Sequence, residues 1–199
     1  ASGPPPATGS ADTGALWRWP GPPHADTARV EAVPQYGHWE SAALAAVVPL
    51  ARGWERQVDN ARNPLFYQGA LTPERYHAWL RDNAVRYVAI STARPDYAAQ
   101  VEAAIVRAGQ PWLVPVWHDT EWSLFRVVGT APLASGPARV LRTSPTHLTL
   151  VVRTPGNSLV RVRWSPLLTV TPGASLRAHG DWTLLQARHP GHYTISASY

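Results

Sequence analysis

The chain contains no cysteine, no methionine and no lysine. Without cysteine there is no disulfide scaffold, no thiolate metal site and no thiol nucleophile. Methionine is missing even from the first position, so Ala1 reads as a processed end or as the start of a piece of a longer chain. All 18 basic residues are arginine and isoleucine occurs only three times, a bias that fits a GC-rich genome better than any chemistry. Charge is scarce too, at 16% of residues, against 45% hydrophobic residues. That composition belongs to a globular chain with a thinly charged surface and not to a disordered one.

Long apolar runs are also lacking. The longest, residues 42–51, contains Pro49 and is half the length a bilayer-spanning helix needs. No signal peptide is visible, so any membrane anchor is expected to lie outside this stretch of sequence. Recognisable catalytic and nucleotide-binding motifs are missing as well: Gly-x-Ser-x-Gly, GxGxxG, GxxxxGK[ST] and HExxH do not occur. A net charge of +5 invites a nucleic-acid reading, yet the arginines are scattered from Arg18 to Arg188 without a run or a reading helix. Phosphate-tracking surfaces cluster such charges on one face, so no nucleic-acid partner is expected.

The 199 residues suffice for one generous domain or two small ones. Residues 1–28 are rich in Pro, Gly, Ser and Ala and read as a flexible tail or linker, with Trp17 and Trp19 in LWRWPGPP as its exception. Residues 29–128 alternate between strand and helix. RVEAV (29–33) is a strand, HWESAALAAVV (38–48) a short helix, and RYVAI (86–90) a buried-type strand. LTPERYHAWLRDNAV (71–85) is a helix with Thr72 as N-cap, Pro73 in the first turn and an apolar face of Tyr76, Trp79, Leu80 and Ala84. PDYAAQVEAAIVRAG (95–109) is another, capped by Asp96 and stopped by Gly109, with Tyr97, Val101, Ala104, Ile105 and Ala108 as its predicted stripe. WLVPVW, HDTE and WSLFRVV (112–128) spell a β-hairpin.

After a linker-like 129–137, residues 138–199 turn all-β. Six short alternating segments separated by Pro, Gly and Asn turns predict a compact antiparallel sandwich. In SLVRVRWS, Val160, Val162 and Trp164 should face inward and Leu159, Arg161 and Arg163 outward. The expected fold class is therefore α+β: a small α/β layer over 29–128, then a β-sandwich over 138–199.

The densest polar constellation is His38, Trp39 and Glu40 followed by Arg52, Gly53, Trp54, Glu55, Arg56 and Asp59. Indole faces pack on sugar rings while carboxylates and guanidiniums hydrogen-bond hydroxyls, so these residues form a candidate ligand surface. The alternative is a helix start at Trp39 and Glu40 plus an ion-paired turn at 52–59. A third reading makes Glu40 or Glu55 the carboxylate of a glycan hydrolase, a chemistry that needs an acid of raised pKa beside a second carboxylate. Trp164 and Trp182, near one end of the predicted sandwich, are either packing groups or a sugar-stacking platform. His118, Asp119 and Glu121 look like metal ligands but sit where a hairpin turn is expected, and adjacent strand residues point to opposite faces. No metal or cofactor is expected.

HWESAALAAVVPLARGWERQVDNARNPLFY and LTPERYHAWLRDNAVRYVAI, with SGPARV and LVRVRWSPLLTV in the β-rich tail, resemble the C-terminal extracytoplasmic region of actinobacterial polytopic membrane proteins of the GT-C glycosyltransferase-like kind. The likeness covers residues 29–199, while the Pro-rich 1–28 departs from that family's exit from the membrane. It implies an extracytoplasmic location and a docking partner in the membrane-embedded portion of the same polypeptide. It also implies a role in building cell-envelope glycans. Catalytic carboxylates of such enzymes lie in loops of the membrane portion, so no catalytic residue is implied here. His38, Trp39, Glu40, Arg52, Gly53, Trp54, Glu55, Arg56 and Asp59 are the matching positions, and an acceptor glycan is the expected ligand. The rival expectations are a secreted carboxylate-dependent glycan hydrolase and a purely structural, partner-docking module.

Overall fold

A computed structural model describes residues 27, 29–37, 48–52, 56–144 and 146–197. The tail, apart from Thr27, and the helix predicted at 38–48, apart from Val48, lie outside the described residues.

Strand β2 (Val85–Ser91) is buried at every position except Arg86, which matches its nearly unbroken apolar sequence and makes it an interior strand. It pairs in parallel with β1 (Arg29–Ala32) and antiparallel with β4 (Trp122–Val127), and β4 pairs with β3 (Leu113–His118), giving the order β1-β2-β4-β3. A parallel pair needs a long crossover. Here it carries helices α1 (Arg56–Arg62) and α2 (Pro73–Asp82). Pro115 is tolerated in β3 because that strand lies at the sheet edge, and the ladder is irregular between Pro115 and Trp117.

Helix α2 begins as its sequence predicts. The Thr72 hydroxyl accepts from the Arg75 N–H at 3.3 Å, and Tyr76 and Leu80, one turn apart, are fully buried. It ends at Asn83, and Ala84 then takes a positive φ of 55°. Beyond β2, Asp96 accepts from the Ala98 N–H at 3.0 Å, a 3-10 turn (Tyr97–Ala99) follows, and helix α3 runs over Gln100–Arg107. The stripe predicted for this segment is largely wrong. Tyr97, Val101, Ala104 and Ala108 are exposed, while Ala99, Glu102, Ala103, Ile105 and Val106 face inward. The 3-10 turn shifts the helical phase, and the buried side includes a carboxylate that an apolar count passes over. Tyr76, Leu80, Val88, Ala103 and Val106 share one core between the helices and the sheet. Val30, Tyr87, Ala89, Trp122 and Leu124 form a second on the opposite face.

The β-rich part is a sandwich of two four-stranded sheets. One has the order β10-β11-β8-β5 and the other β6-β7-β12-β9. The six predicted segments appear as β6 (Ala138–Thr143), β7 (His147–Val152), β8 (Gly156–Arg163), β9 (Leu168–Val170), β11 (Trp182–Ala187) and β12 (Gly191–Ala197). Two further strands were not anticipated. β5 (Ala134–Ser135) lies inside the stretch expected to be a linker and pairs with β8, with Leu133 and Ala134 buried. β10 (Ala174–His179) is a mostly exposed, arginine-bearing edge strand, so it lacks the apolar alternation that marks the others. Leu150, Val160 and Leu185 are completely buried at the sandwich centre. Gly136 joins β5 to β6 at φ +92°, where a Cβ would lie 2.8 Å from the Asn157 carbonyl oxygen, so no other residue fits that corner.

The two parts are in contact. Ala84, whose left-handed backbone turns its methyl outward from the end of α2, packs in the sandwich core. An Arg29 Nη on β1 donates to the Arg161 carbonyl on β8 at 2.8 Å.

Candidate functional site: a buried arginine cluster behind an interlobe cleft

Residues 49–51 run beside β1. The Val30 N–H donates to the Pro49 carbonyl at 2.9 Å and the Ala51 N–H to the Val30 carbonyl at 2.8 Å. That pairing delivers Arg52 to the side chain of Glu31. Its Nε and Nη2 both donate to Glu31 Oε1, at 2.8 and 2.6 Å, and Nη2 also donates to Glu102 Oε2 on α3 at 2.5 Å. Asp59 on α1 completes the ring at 3.5 Å from Nη1. Two of the three carboxylates are held in turn. Tyr76 donates to Glu102 at 2.7 Å, while Tyr67 and Asn63 donate to Asp59 at 2.6 and 2.8 Å. Trp79 Nε1 fixes the Asn63 side chain at 3.0 Å. The guanidinium lies 3.6 Å from the centre of the Phe66 ring, and Trp79 meets Phe66 edge-on at 4.9 Å.

One guanidinium thus faces three carboxyl groups out of water. Burial pushes the Glu31 carboxyl well above the ordinary range; Arg52 opposes that shift, and Glu102 and Asp59 reinforce it. Glu31 Oε2 has no partner among the described residues. The Tyr76 phenol is also driven up, first by burial and then by the neighbouring Glu102 and Glu31 charges. For Arg52, burial works against the charged form, but the three carboxylates more than offset it and hold the guanidinium protonated. The cluster is 8% exposed or less at Glu31, Arg52, Asp59 and Glu102, so it locks β1, α1, α2 and α3 together and does not present a reactive acid to solvent.

In front of it opens a cleft of about 440 Å³, walled on one side by Arg29, Arg52, Asp59 and Arg62 and on the other by Arg163 and Trp182 from the sandwich. Arg29 spans the seam, donating from Nη1 to the Asn83 carbonyl at 2.7 Å and from Nη2 to Arg161. Its Nε is buried with no acceptor among the described residues. Its pKa is lowered to about 10, by burial first and then by Arg163 and Arg161. On the facing wall Trp182 is half-buried, with the Arg163 guanidinium 5.1 Å from its ring centre and bonded to Asp181 at 2.9 Å.

No family model matches the chain, and no curated protein or solved structure matches it.

The sequence-predicted residues therefore stand on their own geometry. Arg52, Asp59 and Trp182 line the same cleft, although more than a hundred residues separate the first two from the third. Arg52 and Asp59 also form the ion pair that the alternative reading of that turn required. Trp164 is half-buried, and its backbone N–H donates to the carbonyl of Asp181, the residue before Trp182, at 3.0 Å, but it is not part of the cleft wall. His38, Trp39, Glu40, Gly53, Trp54 and Glu55 lie outside the described residues, as does the side chain of Arg56, whose backbone opens α1. In the turn suspected of binding metal, Asp119 Oδ1 accepts from the backbone N–H groups of Glu121 and Trp122 at 2.8 and 2.7 Å. That carboxylate shapes the hairpin. No grouping of three His, Asp or Glu side chains fit for a metal occurs among the described residues, and none of the described helices is long and apolar enough to cross a membrane.

Sequence reasoning passed over Glu31, Glu102, Arg29 and Arg163. A signal existed for the first two: an acid in the middle of a short apolar strand and an acid inside an alanine-rich helix. Arg29 and Arg163 read as ordinary strand-end arginines.

Proposed function

We propose that this chain is a non-catalytic extracytoplasmic domain of an integral membrane protein of the GT-C glycosyltransferase-like kind. In that role it docks on the membrane portion and holds an acceptor glycan of the cell envelope in the cleft between its two parts. The observation that carries this reading is the meeting of Arg62, Arg163 and Trp182 on one cleft in front of the Arg52–Asp59 pair, an arrangement of charged groups and an indole suited to sugar hydroxyls and a sugar face. The volume is that of a small-ligand site. Neither acid of the buried cluster that borders the cleft favours hydrolysis. Glu31 is the carboxyl whose pKa is raised, as a glycosidase acid requires, but it is 1% exposed and tied to Arg52. Asp59 is fully engaged by Arg52, Asn63 and Tyr67.

The test is calorimetric titration of the 199-residue chain with a panel of cell-envelope oligosaccharides, each mixture then analysed for cleavage. Binding without cleavage, weakened about tenfold in Trp182→Ala, is the expected result. Cleavage that is lost in Glu40→Gln or Glu55→Gln would replace this reading with the hydrolase. Absence of binding across the panel would leave a docking module.

A further inference from the structure

Among the four arginines that line the cleft, two have their charge answered from within the described residues. Arg52 is enclosed by Glu31, Asp59 and Glu102, and Arg163 meets Asp181. Arg29 is different. A guanidinium carries five N–H donors, and the bonds Arg29 makes go to two backbone carbonyls, which are neutral. No carboxylate forms a salt bridge with it among the described residues. The charged groups that influence it most are the like charges of Arg163 and Arg161. Arg62, on the exposed face of α1, adds a further positive group to the same cleft.

A desolvated cation without a counter-ion is costly to a fold, and a protein tolerates it most readily where the missing negative charge arrives with a ligand. Burial and like-charge repulsion press on this group from the protein side, which is the state an incoming anion relieves. Guanidiniums match carboxylate and phosphate oxygens in a planar, two-pronged geometry. Beside them, Trp182 supplies an apolar ring edge within the same walls. The left-handed backbone of Ala84 adjoins Asn83, whose carbonyl anchors Arg29. Strain of that kind persists where surrounding structure holds a group in place.

We infer that the cleft binds an anionic sugar, its carboxylate or phosphate oxygens received by Arg29, Arg62 and Arg163 and its ring lying against Trp182. This rests on the glycan-binding reading above and narrows it from carbohydrates in general to those carrying an oxyanion. A uronate and a sugar phosphate share that chemistry and are distinguished by the probes.

The experiment titrates the chain with a glucuronate-containing disaccharide, glucose 1-phosphate, a neutral glucose disaccharide and inorganic phosphate, each at two salt concentrations. The expected result is at least a tenfold preference for one of the two charged sugars over the neutral one, weakening as salt rises. Which charged sugar binds more tightly names the source of the oxyanion. Arg163→Gln and Arg62→Gln, both on the rim where folding is not at stake, should each lower the ratio of charged to neutral affinity about fivefold or more. Equal affinity for charged and neutral disaccharides overturns the anion inference while the glycan cleft stands. Binding of inorganic phosphate as tight as that of glucose 1-phosphate, with no response to either disaccharide, overturns the glycan reading and leaves a plain anion site. Silence from all four probes overturns both.

Discussion

Arg52 spends two of its N–H groups on a single oxygen of Glu31, at 2.8 and 2.6 Å, and leaves the other oxygen of that carboxyl without a partner among the described residues. The pairing is lopsided because Arg52 must also serve Glu102 and Asp59. It joins the start of the sheet to the helices that cover it.

The two partners should therefore respond unequally to mutation. Glu31→Gln keeps an oxygen for Arg52 and removes a charge that burial already disfavours, so its effect on stability should stay within about 1 kcal/mol. Arg52→Met strands three buried carboxyls without a cation and should cost about 3–5 kcal/mol. Urea denaturation of the two variants checks the contrast, and equal losses would show that Glu31 is ionised in the folded state.

The same cluster sets a pH dependence. The folded pKa of Glu31 lies above its unfolded value, so the folded state holds more protons at this site. Its contribution to stability is fully present below about pH 4.5, the ordinary value, and is lost as pH climbs through the raised folded pKa. The difference in unfolding free energy between wild type and Glu31→Gln should shift against the wild type as pH rises from 5 to 8. Denaturant titrations at intervals of one pH unit read this directly, and parallel curves would contradict it.

Tyr67 offers a milder probe of the same network. Its hydroxyl donates to Asp59 at 2.6 Å from a half-buried position, so Tyr67→Phe removes a charge-assisted bond without opening the core. The expected loss is about 1.5–3 kcal/mol by thermal or chemical unfolding. Glycan affinity should fall with it if Asp59 must keep its orientation in the cleft wall.

Much of the fold is legible in the chain because its cues are local. Thr72 caps the helix it is expected to cap, Asp96 caps the 3-10 turn that leads into α3, and Asp119 closes the hairpin turn with its own carboxylate. What stayed hidden depends on partners far away in sequence. The inward face of α3 is fixed by Glu102 reaching Arg52, fifty residues earlier, and no periodicity of apolar residues encodes that choice. β10 is an edge strand with little apolar surface, and β5 is two residues long, so neither leaves a pattern. The cleft was legible by half: Arg52, Asp59 and Trp182 were singled out by residue type, whereas Arg29 and Arg163 acquire their meaning from the seam between the two parts.

That seam turns on Ala84. At φ 55° with its methyl in the sandwich core, the position is already at the limit of what an L-residue with a small side chain accepts. Ala84→Val adds a branched Cβ to a left-handed backbone in a packed site and should destabilise by about 1–3 kcal/mol. The Asn83 carbonyl that holds Arg29 would be displaced with it, so the variant should also lose affinity for a charged sugar. A destabilised Ala84→Val that binds as tightly as wild type would separate the strain from the cleft.

The rim pair of Arg163 and Asp181 provides the last and most direct reading of the charge in the cleft. The Asp181 side chain is 76% exposed, so its bond to Arg163 works against bulk water and contributes about 0–1 kcal/mol to stability. Its effect on a ligand runs the other way, because it occupies an arginine that an anion needs. Asp181→Asn should leave the unfolding midpoint almost unchanged and raise the affinity for glucose 1-phosphate or the glucuronate disaccharide about threefold, with no gain for the neutral disaccharide. Titration calorimetry at low salt measures this. A loss of charged-sugar affinity in Asp181→Asn would mean that the carboxylate orients Arg163 for binding and does not compete with the ligand.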